Sequence, residues 1–435
     1  MKFNKLTSAI LLSASVLALA SCGEEDDKVD EVVTGCGGVA TATAMKDMLN
    51  GKEVCKLSGV INEDITLTSD KYWALEGVVK VGDDNKTSTQ EKDTTIIIEA
   101  GTTVVAVSGQ DVLVVSRDAQ IQAVGTPADP ITFTHWDDVK LGDNFVEAKG
   151  LWGGLVISGY GVSNQGVNPE GEGNSGFYAG TNNADDSGTL KYVVVKYSGQ
   201  KIGELNELNG IAFQAVGSAT EVDYVQVHMS LDDGVEFFGG AVNAKHLVLT
   251  GNDDDSLDAT HGFQGKLQYV YIEQDASGDR GIEINSEEDD GSMPTEISMP
   301  QTDVKIANLT VIAKSTNEDG DAVKFRARAM ATLVNAYITS NGTKKDCLEG
   351  GSEAVVTATA TVVSNCTANL SKGAVTYTDG EVEGTDMNTT WTGNEVVVSG
   401  VTAVDASITD AFFDAAQFTG AVGSTDWTSG WTVGL

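Results

Sequence analysis

Positive charge is scarce in this chain. Its 435 residues carry 27 Lys and Arg against 64 Asp and Glu, a formal net charge of -37 and a pI near 4.2. Such a polyanion repels nucleic-acid phosphates and anionic lipid, which excludes a nucleic-acid-binding role and favours cations, or neutral ligands such as glycans. Histidine is nearly absent as well. With four His and no CxxC, HExxH or mixed Cys/His cluster, neither a zinc site nor a His-based catalytic centre is expected. The 5 Pro are too few to make the turns, which fall to the 49 Gly. Long apolar runs are missing too, since the one extended stretch, Ile10 to Ala20, is too short to span a bilayer. What remains, at 41% hydrophobic residues, is a globular composition with ample material for a core.

That apolar stretch follows Lys2 and Lys5 and leads into small residues, the pattern of a secretory signal over residues 1–21. Its end, "LASC" at Leu19 to Cys22, resembles the lipobox of bacterial lipoproteins, in which the Cys becomes the acylated first residue. The acidic "GEEDDKVDE" from Gly23 resembles the signal that sends Bacteroidota lipoproteins to the cell surface, and residues 22–35 are read as a tether. Setting Cys22 aside leaves two cysteine pairs, each 19 residues apart, in a compartment that permits disulfides. The expected bridges are Cys36–Cys55 and Cys347–Cys366.

From about residue 60 the chain is rich in Val, Thr, Ile and Gly, in short runs broken by Gly, Asn and Asp, with almost no helical periodicity. An internal repeat organises these runs. "YVQVHMSLDDGVEF" from Tyr224, "HLVLTGNDDDSLDA" from His246, "YVYIEQDASGDRGIEI" from Tyr269, "LTVIAKSTNEDGDAVKF" from Leu309 and "NAYITSNGTKKDCLEG" from Asn335 share one pattern. Each has a β run, a polar corner, a small residue (Cys in the last), an aliphatic and a charged residue. The aliphatics are Val235, Leu257, Ile282, Val323 and Leu348, and the period lies in the low twenties. A strand repeat of that length with no helix is what a parallel β-helix produces, with equivalent side chains stacked in columns. The fold class is therefore all-β, a single-domain parallel β-helix over 58–407 with loop insertions at 161–187 and 286–303. A solenoid needs its open ends covered. The bridged segment 36–57, with a short helix expected in "GVATATAMKDMLN" from Gly38, is the candidate N-terminal cap, and 408–435 the C-terminal one.

"GTPADPITFTHW" from Gly125, "GLWGGLVISG" from Gly150, "DDGVEFFGG" and the ending "DWTSGWT" together resemble a group of secreted bacterial lipoproteins with a right-handed, pectate-lyase-like β-helix. The resemblance covers nearly the whole mature chain. It implies an outer-membrane, surface-exposed protein and, through the TonB-dependent receptors such lipoproteins often accompany, nutrient capture or a receptor partner.

Aligning the repeats gives two columns expected to point outward, because strand side chains alternate. Asp233, Asp255, Arg280, Asp321 and Asp346 precede the small residue. Glu236, Asp258, Glu283, Lys324 and Glu349 follow the aliphatic. The part formed by Asp233, Glu236, Asp255 and Asp258 has no basic residue of its own, and Asp232, Asp253 and Asp254 crowd the same corner. Oxygen ligands clustered on turns suit Ca²⁺, so these four are the expected metal ligands, although Asp also accepts backbone hydrogen bonds in tight turns. Lys324, Arg326 and Arg328 are the residues available as the base of a polysaccharide lyase, with charge compensation of the ladder as the simpler role. His261 reads as a turn residue. The functional expectation is a surface-anchored module binding a glycan, a small nutrient or a receptor, with a polysaccharide lyase or glycoside hydrolase as the alternative and no catalytic residue assigned.

Overall fold

The computed structural model describes residues 36, 42–45, 48–84, 92–203, 206–286, 297–317, 320–326, 328–340, 346–350, 354–364, 367–369, 374–377 and 402–435. The signal segment, Cys22 and the acidic tether lie outside them, as do Cys366 and most of the 286–303 insertion.

Twenty-seven strands join in one hydrogen-bonded network. All its pairings among the described residues are parallel except that of Ala42–Ala44 with the strand Val54–Ile61. This is the parallel β-helix expected from the repeat. One coil runs through Glu221–His228, a turn, and Val235–Phe238 before the next begins at Asn243. The register confirms the sequence alignment, with Val235 opposite Leu257, Leu257 opposite Ile282 and Ile282 opposite Val323. All four are fully buried. Beside them Phe213, Phe237 and Phe263 stack inward with ring centroids 5.2 and 4.5 Å apart.

The coil bends within its longest strand at a residue in the left-handed region. Tyr192, Tyr224, His246, Tyr269, Asn308 and Asn335 occupy this bend, with φ between 49° and 60°. Their side chains form a column on the outside, in which Tyr192, Tyr224, His246 and Tyr269 stack at 4.4, 4.1 and 4.7 Å. Such stacking, worth about 0.5–1.5 kcal/mol per pair, offsets part of the unfavourable backbone at these four residues, which costs about 1–3 kcal/mol each.

Two expectations about the ends need correction. The segment from Gly38 is not helical where it is described: Ala42–Ala44 is a strand, paired antiparallel to Lys56 and its neighbours. A sheet edge already present at Val54–Ile61 offers this short run backbone partners that an isolated helical turn would lack. The C-terminal segment lies along the flank of the coil, over the bend column, rather than across an end. Gln226 holds the backbone of Val433 through both amide atoms, at 2.7 and 2.9 Å, and Asn335 holds Val404 at 2.9 and 3.0 Å. Trp427 and Trp431 set their edges against the stacked rings. The one α-helix among the described residues is Trp136–Leu141, and no helix there is long and apolar enough to cross a membrane.

Cys36 and Cys55 form a disulfide, as expected. Cys347 is buried and disulfide-bonded, and position 366 falls outside the described residues. Closing a loop of 19 residues constrains the unfolded chain by about 3 kcal/mol. Replacing Cys36 and Cys55 with Ser is expected to destabilise the N-terminal coils by that order, read as a lower melting temperature and faster proteolysis near Ala42.

Gly154 shows how tightly the coils approach. Its φ is 88°, and a Cβ there would lie 2.0 Å from the carbonyl oxygen of Asn209 on the next coil. Gly154→Ala is therefore expected to disturb normal stacking, with soluble yield lost or the melting temperature lowered by about 1–4 °C, since core overpacking costs about 1–3 kcal/mol and one kcal/mol shifts a chain of this length by about 1 °C.

Candidate functional site

The outward face of the strands Ile211–Gln214, Val235–Phe238, Leu257–Thr260, Ile282–Ile284 and Val323–Phe325 carries the second acidic column. Glu236 lies opposite Asp258, Asp258 opposite Glu283, and Glu283 opposite Lys324. Lys324 in turn faces Glu349. The column thus exists as aligned, but it does not stand in open solvent. Asp233, Glu236, Asp255 and Asp258 point outward as expected yet are only 7, 9, 4 and 9% exposed. Walls that no repeat alignment shows rise around them. The 161–187 segment folds back and brings Glu170 and Glu172 over the column, and Glu207 arrives on the hairpin of Gln200–Gly203 and Asn206–Leu208. The result is a groove of about 930 Å³.

The long segment is held in place by Arg117, a fully buried guanidinium reaching it from an earlier coil. Arg117 pairs with Asp84 at 2.7 Å and donates to Asn168 at 2.7 Å and to the carbonyl of Ala179 at 2.6 Å. Its plane lies over Tyr160, 4.9 Å from the ring centroid. Arg117 is a functional residue that sequence reasoning missed, and no motif around it marks its role.

Within the groove the carboxylates form overlapping triads. Asp233, Glu236 and Asp258 can bring oxygens within 4.8 Å of one another, as can Asp233, Asp254 and Asp255, and also Glu207, Asp232 and Asp254. The four expected ligands therefore divide between two triads that share Asp233. Glu207 was not anticipated, and Asp253 turns away to Lys149 at 2.8 Å. The turn-forming role of Asp is present alongside. One oxygen of Asp233 accepts the Asp255 N–H at 2.9 Å, and one oxygen of Asp255 accepts the Arg280 N–H at 2.9 Å. A carboxylate has two oxygens, so this use leaves a second one for a ligand. Asn209, 2% exposed, donates to Glu236 at 2.6 Å, while its own side-chain oxygen is buried without a partner.

Burial, and after it the repulsion of neighbouring acids, pushes Asp233, Glu236, Asp255 and Asp258 well above the ordinary carboxylate range. Asp232 rises to about 9 for the same reasons, with Glu207 its strongest charged neighbour. Two unit charges about 5 Å apart repel by roughly 3 kcal/mol at an effective dielectric near 20. The groove cannot hold all its carboxylates ionised without protons or a cation.

The basic residues sit at the other end. Arg280 lies 3.1 Å from Glu283 and 3.8 Å from Asp255, and Arg326 lies 2.7 Å from Glu283. Lys324 stands 3.9 Å from Asp321 and 3.6 Å from Glu349. Asp255 is thus the one expected ligand with a guanidinium in reach. Arg328 is buried, and neither it nor Lys324 lines the groove, so of the three expected bases only Arg326 does. The aromatic end is formed by Tyr178, Phe238 and His261. The Tyr178 hydroxyl meets His261 Nδ1 at 3.1 Å, which places His261 in the groove wall as well as at a turn. Of the adjacent pair, Phe237 points inward and Phe238 into the groove, as strand alternation requires.

A family model described as a pectate-lyase-like β-helix domain matches residues 59–432. The chain belongs to that family. The match covers every strand that builds the groove, together with the flank-bound C-terminal segment. No curated protein and no solved structure matches the chain.

Proposed function

We propose that the protein is an exported binding module, lipid-anchored through Cys22 at the cell surface, whose groove binds Ca²⁺ and uses it to present a binding site for an extracellular ligand. The observation that carries this reading is the pair of buried carboxylate triads joined at Asp233, with no Lys or Arg among the described residues ion-paired to Asp233, Glu236 or Asp258. Ca²⁺ takes six to eight oxygen ligands, and the triads with Asn209 beside them offer that kind of set. The test is thermal unfolding of the metal-stripped protein with and without Ca²⁺. A rise in melting temperature that saturates with Ca²⁺ supports the reading, and an unchanged melting temperature refutes it.

Binding is favoured over lyase chemistry because the groove's basic residues are occupied. Arg280 and Arg326 both pair with Glu283, and Lys324 lies between two carboxylates. A base for proton abstraction must be free to take a proton and within reach of its substrate, whereas these side chains are each engaged with carboxylates of the protein itself. Incubation with uronate-containing polysaccharide and Ca²⁺ is expected to give no unsaturated product at 235 nm, and an increase there would restore the lyase reading.

A further inference from the structure

The groove's charge says which ligands it accepts beyond the metal. Eleven carboxylates line it against two guanidiniums, an excess of nine negative charges when all are ionised. Two Ca²⁺ ions, one for each triad sharing Asp233, would displace protons these acids hold in the absence of metal and add four positive charges, which still leaves acids in excess of cations by five. Uronate polysaccharides would therefore meet a negative field even in the metal-loaded groove, and field lines are concentrated in a low-dielectric cleft. We infer that the organic ligand of this groove is a polycation bearing amine groups. This inference rests on the proposal that the groove is a cation-accepting site.

The protein itself supports the choice of chemistry. At Glu283 the column is satisfied by nitrogen cations from the chain, Arg280 and Arg326, and Lys324 takes the next position opposite it. One coil away, at Asp258 and Glu236, the same register of carboxylates continues with no such side chain. Asn209 adds an independent sign that this part awaits a partner, since its oxygen is buried and unpaired while its amide holds Glu236. A ligand ammonium donates three hydrogen bonds and can meet several of the carboxylates that line the groove at once. The space, about 930 Å³, is far more than one or two ions fill and lies at the upper end of small-molecule sites.

Spacing narrows the class further. The coils recur at about 4.8 Å, so acidic positions repeat at that interval along the groove. Ammonium groups separated by three or four methylenes, or carried on successive amino-sugar units, recur at a comparable interval. Both sources share the same chemistry, and a titration tells them apart.

The experiment is calorimetric titration of the protein with four probes: CaCl₂, spermidine, a glucosamine trimer with free amines, and the fully N-acetylated trimer. A galacturonate trimer with Ca²⁺ serves as the competing class. At least one amine probe is expected to bind ten-fold or more tightly than the N-acetylated and galacturonate trimers. Preference for spermidine identifies an aliphatic polyamine, and preference for the free-amine trimer a deacetylated glycan. Glu236→Gln, which keeps an acceptor for Asn209, is expected to weaken amine binding at least ten-fold, and Asp255→Asn is the second variant should the first not fold. Glu221→Gln, on the flank, should leave binding unchanged. Ca²⁺ binding without amine binding overturns this inference and leaves the metal reading standing. Amine binding without Ca²⁺ binding does the reverse, and the absence of both removes the two together. Tighter binding of galacturonate with Ca²⁺ than of either amine also overturns it.

Discussion

Asp233→Asn is expected to abolish most of the Ca²⁺-induced rise in melting temperature and, in the absence of metal at pH 8, to make the protein more stable than the wild type. Both effects come from Asp233 belonging to two triads at once. An amide oxygen can still accept the Asp255 N–H, which Asp233 now accepts at 2.9 Å, so the turn survives. The cost of placing an acid between Glu236, Asp255 and Asp258, carried either as a charge or as a held proton, is removed. Relieving even one such repulsion at about 5 Å is worth up to roughly 3 kcal/mol, and a gain of about 1–3 kcal/mol in the metal-free protein is expected. The affinity for Ca²⁺ should fall by more than the roughly 10–100-fold that losing an outer-shell partner costs. Stabilisation by mutation without metal, with loss of stabilisation by metal, is a combination that a purely turn-forming Asp would not give.

The metal-free protein is expected to lose stability as pH rises from about 4 to about 9, and Ca²⁺ to suppress that loss. Asp232, Asp233, Glu236, Asp255 and Asp258 all bind protons more tightly in the folded chain than in the unfolded one. Their contribution is complete below the unfolded value of 3.8, or 4.5 for Glu236. It declines as pH climbs through the folded values, of which that of Asp232 is about 9. One pH unit of displacement corresponds to about 1.4 kcal/mol, so even part of this effect exceeds that of a surface ion pair, at roughly 0–1 kcal/mol. Asp410 acts in the opposite direction. Burial would raise it, but Lys266, the Phe412 N–H and Lys305 hold it down at about 2, so the flank contact is kept above 3.8 and lost as pH falls toward 2. Melting temperature measured from pH 4 to 9, in EDTA and in Ca²⁺, should give diverging curves whose gap widens with pH. Parallel curves would show that protons and Ca²⁺ do not compete for the same groups.

The core of the fold was legible because it is periodic. A strand residue that stacks on itself every coil leaves the same letter class at the same interval, so the Val235 to Val323 register follows from the repeat alone. The same logic located Asp233, Glu236, Asp255 and Asp258 in two columns, while the Cys36–Cys55 bridge followed from cysteine spacing in a chain read as exported. What the sequence did not reveal is non-periodic. The enclosure of the columns depends on a long Gly/Asn segment whose anchor, Arg117, lies 51 and 62 residues before its contacts at Asn168 and Ala179. Glu207 arrives on a hairpin outside the repeat. The flank position of the C-terminal segment depends on Gln226 and Asn335, whose outward side chains read in sequence as ordinary polar strand residues. A solvated acidic face and a walled acidic groove have the same local pattern, and they differ only in loops that carry no period.

The measurement that tests the central claim most directly is titration of the metal-stripped protein with Ca²⁺ in two buffers of different ionisation enthalpy at pH 7. Carboxylates that hold protons until a cation replaces them must release those protons on binding. The account predicts saturable heat whose magnitude differs between the buffers, with proton release that shrinks in Asp233→Asn. Absence of saturable heat in both buffers, or binding with no proton release, would contradict it.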